Sequence, residues 1–232
     1  MKTSFWTEYR ALSSHSYRLL TLSLFVLLPL LEILGSRFIG IMGALIATQM
    51  AMFFLCLFDY YIFSGISIRK QKSMEIFKSS LYGERILLKA LKADQIVKSL
   101  TILIAVGAGV ILTLTYDADP EEKIYAVAIL MASFPVTGAV TRITLLLSRR
   151  YSATIISQII ITYIASQAFS MLLAILFLAT PQNPKYACII CGIIFVVSEA
   201  TSIILARILI NDCIKGYLSG FSDTFDISGK ES

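Results

Sequence analysis

Histidine is almost absent, with His15 alone among 232 residues. One imidazole excludes the usual multi-histidine metalloprotease and zinc sites, because each needs several nitrogen or thiolate ligands. Cysteine is scarce too: Cys56, Cys188, Cys191 and Cys213. Cys188 and Cys191 form a C-x-x-C pair inside the apolar run CIICGIIFVV, with no second pair. A lipid-embedded position disfavours the accessible thiolate that redox chemistry needs, so these residues read as small packing groups and no metal is expected. No G-x-x-x-x-G-K-[ST] motif is present, which leaves no cradle for nucleotide phosphates. Facing carboxylates of the kind intramembrane enzymes use are lacking as well; Glu121 and Glu122 read as a solvated helix start. No A-x-A cleavage site follows the first apolar run, so that run is expected to stay as a signal anchor. No internal repeat is evident.

Charge is also sparse. Only 15% of residues are charged and 57% are apolar, against about 25% and 45–50% in soluble domains. So much apolar surface does not fit inside one soluble core, and lipid is what it must face. A span needs about 20 apolar residues. Six runs qualify, at 19–34, 38–63, 96–116, 124–147, 153–179 and 186–210. The expected fold is all-α: one polytopic membrane helix bundle over 1–232. The first run is the weakest, since it is short, contains Pro29 and ends in Glu32. It is retained because Gly35-Ser36-Arg37 reads as a tight turn joining it to the second.

Of the 20 Lys and Arg, only Arg37, Lys123 and Lys185 fall on one side of this arrangement. The positive-inside rule therefore places both termini and the 64–95 loop in the cytoplasm. The same placement accounts for the net charge of +5 without a nucleic-acid partner. The opposite side holds only short turns such as YDADPEEK and TPQNPK, which excludes a large external domain.

Two cytoplasmic segments carry patterns. In 1–18, Phe5, Trp6, Tyr9, Leu12 and Tyr17 accompany Lys2, Arg10 and Arg18, which suits a helix lying at the headgroup level. In 64–95, Met74, Phe77 and Leu81 recur at i, i+3, i+7, flanked by Lys72 and Lys78, and predict a short amphipathic helix. After Gly83, a second helix opens at Glu84. It sets Arg85, Lys89 and Lys92 on one face and Ile86, Ala90, Ala93 and Val97 on another, and can run into the third span as a stalk.

Inside the spans, Glu199 stands near the middle of the sixth with Ser198, Thr201 and Ser202 beside it. A charge at that depth costs a few kcal/mol. Glu199 therefore lines a pathway or makes an interhelical hydrogen bond, and the sequence leaves both open. Asp59 and Arg142 lie nearer the inner edge and are expected to snorkel. Pro135 and Gly138 predict a kink in the fourth span. Gly40, Gly43, Ala44, Ala47 and Ala51 offer a close-approach face on the second.

Six spans, an N-terminal interfacial helix and the order amphipathic helix, break, basic stalk in KSMEIFKSSLYGERILLKALKADQIVKSL resemble the permease subunits of bacterial ABC exporters of the type-two class. The resemblance is architectural and covers nearly the whole chain. It implies a cell-membrane protein that binds no cofactor itself. A separate ATP-binding cassette subunit would hold ATP and Mg²⁺, docked on Met74, Phe77, Leu81, Lys72 and Lys78. A second permease subunit, identical or related, would complete a path for amphipathic peptides or lipophilic compounds, and Glu199, Ser198, Ser202 and Pro135 are the candidate intramembrane residues. The sequence departs from the class between spans five and six, where the class carries external re-entrant helices and TPQNPK is only a tight turn unless the two spans themselves break. Two other readings remain: the vitamin-capturing membrane subunit of an energy-coupling-factor importer, and a membrane enzyme.

Overall fold

The computed structural model describes Tyr9 and residues 15–39, 41–66, 83–115, 117, 119–151, 155–181 and 183–228. They form six helices: α1 (His15–Ile39), α2 (Ile41–Ile66), α3 (Gly83–Thr115), α4 (Pro120–Tyr151), α5 (Ile155–Ala179) and α6 (Pro184–Ser228). There is no strand among the described residues. The interfacial helix expected over 1–14 lies outside them apart from Tyr9, as does the amphipathic helix around Met74, Phe77 and Leu81.

Five helices are long and apolar enough to cross a membrane: α2 from Met42 to Asp59, α3 throughout, α4 from Pro120 to Arg149, α5 throughout, and α6 from Pro184 to Ile214. In α1 the apolar stretch is shorter, Arg18–Leu31. The architecture is that of a multi-pass membrane protein. The turn expected at Gly35-Ser36-Arg37 is helical instead, because α1 continues to Ile39. A helix tolerates Ser and Arg, and Gly35 costs it only about 1 kcal/mol.

Proline and acidic residues fix where helices start. Pro120 and Pro184 occupy the first positions of α4 and α6, where a missing N–H costs nothing and the fixed φ suits the helix. Glu121 and Glu122 complement the positive end of the α4 dipole. The Asn183 side chain accepts from the Lys185 amide at 3.1 Å, capping α6. Only four residues separate the end of α5 at Ala179 from the start of α6 at Pro184.

Helix α4 is the centre of the bundle and packs on α2, α3, α5 and α6, while α1 lies against α2 and α3. All six helices contribute to the core, with Leu28, Met52, Leu55, Ile102, Ile129, Leu145, Phe169 and Leu209 buried. Ala44, Ala47 and Ala51 are buried within it. These small residues of α2 thus serve close packing inside the chain. The outward sides of α1, α5 and α6 are lined with exposed Leu, Ile and Val, the surface that lipid covers.

Candidate functional site: two polar clusters in the apolar bundle

The first cluster sits where α2 and α4 approach their C-terminal ends, here called the basic end. Asp59 of α2, Asp94 and Lys98 of α3 and Arg149 of α4 converge there. Arg149 grips Asp59 with two parallel bonds, Nε to Oδ2 at 3.0 Å and Nη2 to Oδ1 at 2.9 Å. Lys98 Nζ donates to Asp59 Oδ1 and to Asp94 Oδ2. The side chains of Asp59, Asp94 and Lys98 are at most 3% exposed. Two cations and two anions balance, which is the condition for burying ions at all. Arg149 also reaches Cys213 Sγ on α6 at 2.8 Å, so one cluster touches four helices. Leu87 and Leu91 of α3 add an apolar contact with Ile210, Cys213 and Ile214 of α6. The stalk therefore meets α6 through Leu87 and Leu91, which are not among Ile86, Ala90, Ala93 and Val97, the apolar face expected from the sequence.

Asp59 does not snorkel, and its correction has a simple cause. Snorkelling serves a charge with no partner, and here two cations reach the carboxylate inside the bundle. The sequence offered a partial signal: Asp94 and Lys98 stand four apart on one helix, a spacing that pairs side chains.

The second cluster is centred on Arg142, about 10 Å along α4 from Arg149 at 1.5 Å per residue. Its Nε donates to Gln95 Oε1 at 3.3 Å, Nη2 to Ser99 Oγ at 2.8 Å, and Nη1 to Ser202 Oγ. Arg142 is pinned between α3 and α6 and does not snorkel either. Ser202 is buried, whereas Ser198 and Glu199 are half-buried. Of the candidate intramembrane residues, only Ser202 meets a charged side chain directly. Pro135 is buried within α4, and the helix runs through it unbroken from Pro120 to Tyr151.

A row of hydroxyls also runs down α4: Ser133, Thr137, Thr141 and Thr144, all buried. Each donates to a carbonyl three or four residues earlier, the local bonding that lets such residues sit in an apolar helix. They are satisfied within α4 and form no conduit by themselves. Among the described residues, polar ties to α5 include Gln158 Nε2 donating to the Cys56 carbonyl at 2.8 Å, Gln49 Nε2 to Ser166 Oγ at 3.1 Å, and the Tyr125 hydroxyl to the Phe177 carbonyl at 3.0 Å.

No family model, curated protein or solved structure matches this chain. Its function is therefore argued from these residues. Lys72, Met74, Phe77, Lys78 and Leu81, expected from the sequence to couple to an ATPase, lie outside the described residues. Among the described residues no group of His, Cys, Asp and Glu could hold a metal ion.

Gly138 sets the second cluster. A Cβ there would lie 2.9 Å from Arg142 Nη1 and 3.0 Å from Ser202 Oγ. We predict that Gly138→Val separates α4 from α6 and costs about 1–3 kcal/mol, as overpacking does. Nothing lies within 4 Å of an added Cβ at Gly107 or Gly192. Alanine at either position should be neutral or stabilise by up to about 1 kcal/mol through helix propensity. Thermal unfolding of the three detergent-solubilised variants checks the contrast, and equal behaviour of all three would contradict it.

Proposed function

We propose that the chain is the transmembrane permease subunit of an ATP-driven exporter in a bacterial cell membrane. It works with a separate ATP-binding subunit and a second permease subunit, and moves amphipathic peptides or lipophilic compounds. The observation that supports this reading is α3, one unbroken helix of 33 residues. It begins two residues after the amphipathic stripe ending at Leu81 and continues through the membrane-spanning length. Displacement of that stripe by an ATPase would move the start of α3. Asp94, about 16 Å further along at 1.5 Å per residue, would carry the movement with Lys98 into the ionic cluster. Asp59 and Arg149 would then pass it to α2 and α4. Packed charges with fixed partners transmit displacement because they have few alternative arrangements. A second permease subunit would meet the bundle away from the small-residue face of α2, which the chain's own packing occupies.

Co-purification tests the reading. A tagged chain expressed in its native cells should retain an ATP-binding cassette ATPase, and reconstitution of the two should raise ATP hydrolysis when an amphipathic substrate is added. A chain that purifies alone, with no effect on hydrolysis, would end the proposal. The same reading puts both termini in the cytoplasm, which requires α1 to cross as a sixth span. A cysteine at Asp119 should then react with an impermeant maleimide on intact cells, and one at Lys78 should not. Reaction at Lys78 from outside would overturn the orientation.

A further inference from the structure

Arg142 carries a charge that no ion pair among the described residues neutralises. Among the described residues, the ion pairs at this level join Lys98 to Asp59, Lys98 to Asp94 and Arg149 to Asp59. None includes Arg142, whose three partners are neutral oxygens. Glu199 acts on it electrostatically but closes no bridge. A guanidinium stays protonated in any protein environment, and an unpaired charge within a span is costly. The arginine cannot escape to the basic end, because three hydrogen bonds fix its head some 10 Å short of Arg149 by helix rise.

The donor inventory shows what this place lacks. A guanidinium has five N–H groups, and three are used, which leaves one on each terminal nitrogen. Ser99 and Ser202 accept from Arg142 with their hydroxyl oxygens, so their own O–H groups remain to donate. The cluster thus offers several donors and a fixed positive charge, with no anion between them. Gly138 lets Arg142 Nη1 and Ser202 Oγ lie directly against the α4 backbone, since a Cβ there would crowd both. Ser99 is half-buried, and Ile96 and Leu103 on the same side of α3 are 52% and 50% exposed. The approach is therefore from the lipid side.

We infer that Arg142, Ser99 and Ser202 form a binding site for the oxyanion of a membrane-dissolved amphiphile, a carboxylate or phosphate whose chain lies along the apolar flank of α3. A planar guanidinium with hydroxyls beside it matches the paired oxygens of either group. The site requires neither an ATPase nor turnover, so it stands or falls separately from the exporter reading.

Spin-label electron paramagnetic resonance on the full chain in phosphatidylcholine nanodiscs tests it. The probes are spin-labelled stearic acid at a pH where it is ionised, spin-labelled phosphatidylglycerol, and spin-labelled phosphatidylcholine as reference. The wild type should immobilise at least one anionic probe about tenfold more strongly than the reference, the factor expected from one charge-assisted hydrogen bond. Arg142→Gln should remove that preference, Arg142→Lys should keep part of it, and Arg207→Gln, at an exposed position on α6, should keep all of it. Preference for stearic acid assigns the ligand as a free amphiphile carboxylate, and preference for phosphatidylglycerol assigns it as a bilayer phosphate. Should Arg142→Gln fail to fold, the Ser99→Ala and Ser202→Ala double variant keeps the arginine and should lower selectivity severalfold. No anionic preference in the wild type, or an undiminished one in the foldable variant, overturns the site.

Discussion

Asp59→Ala should lower the stability of the bundle by about 3–5 kcal/mol, the range measured when one partner of a buried ionic group is removed. The carboxylate accepts two bonds from Arg149 and one from Lys98. Its loss leaves both cations without the anion they share, in a region with almost no access to water. Asp59→Asn should fall in between, since the amide oxygen still accepts but the charge is gone. The mechanism has a second signature. Replacing Asp59, Asp94, Lys98 and Arg149 together by Leu or Met should cost far less than Asp59→Ala alone, because removing every ion also removes the desolvation penalty. Thermal unfolding of detergent-solubilised variants, with size-exclusion profiles to confirm folding, measures both. A quadruple variant less stable than Asp59→Ala would show that the cluster stabilises the fold by more than mutual neutralisation. If the proposed coupling route is correct, a folded quadruple variant should also lose ATP-driven transport while still binding the ATPase.

Phe77→Ala should weaken association with the ATPase about thirtyfold or more. A central aromatic truncated within a helix-in-groove contact costs about 2 kcal/mol or more, and each 1.4 kcal/mol is a factor of ten. Phe77 is the aromatic member of the Met74, Phe77, Leu81 stripe, and the prediction rests on that spacing. Membrane insertion and the thermal stability of the bundle should be unchanged. Pull-down of the ATPase by wild-type and variant chains at graded concentrations gives the ratio. Unchanged binding together with unchanged transport would remove the coupling role and favour the importer-subunit reading. In that case the stripe simply rests on the inner leaflet, where basic flanks also help.

Hydropathy and helix signals are properties of neighbouring residues, and the sequence displayed them. The approximate positions of five membrane-length helices and the continuous helix after Gly83 follow from local composition, whereas α4 and α6 start earlier than the apolar runs at 124 and 186, at Pro120 and Pro184. The turn at Gly35-Ser36-Arg37 was misread because Gly and Ser mark turns only weakly when apolar residues follow at once. Polar residues inside the spans were visible as exceptions to their surroundings, but their partners were not.

What the sequence by itself determined was the class of protein: an all-helical membrane bundle with one basic end. Only the tertiary structure decided that Asp59 pairs with Lys98, 39 residues away, and with Arg149, 90 residues away, and that Arg142 is held by the neutral oxygens of Gln95, Ser99 and Ser202. Each helix shows its apolar and polar positions along one dimension. Which faces meet depends on how α4 packs among four neighbours at once, and the energy of a buried charge is fixed by those neighbours and not by its own segment.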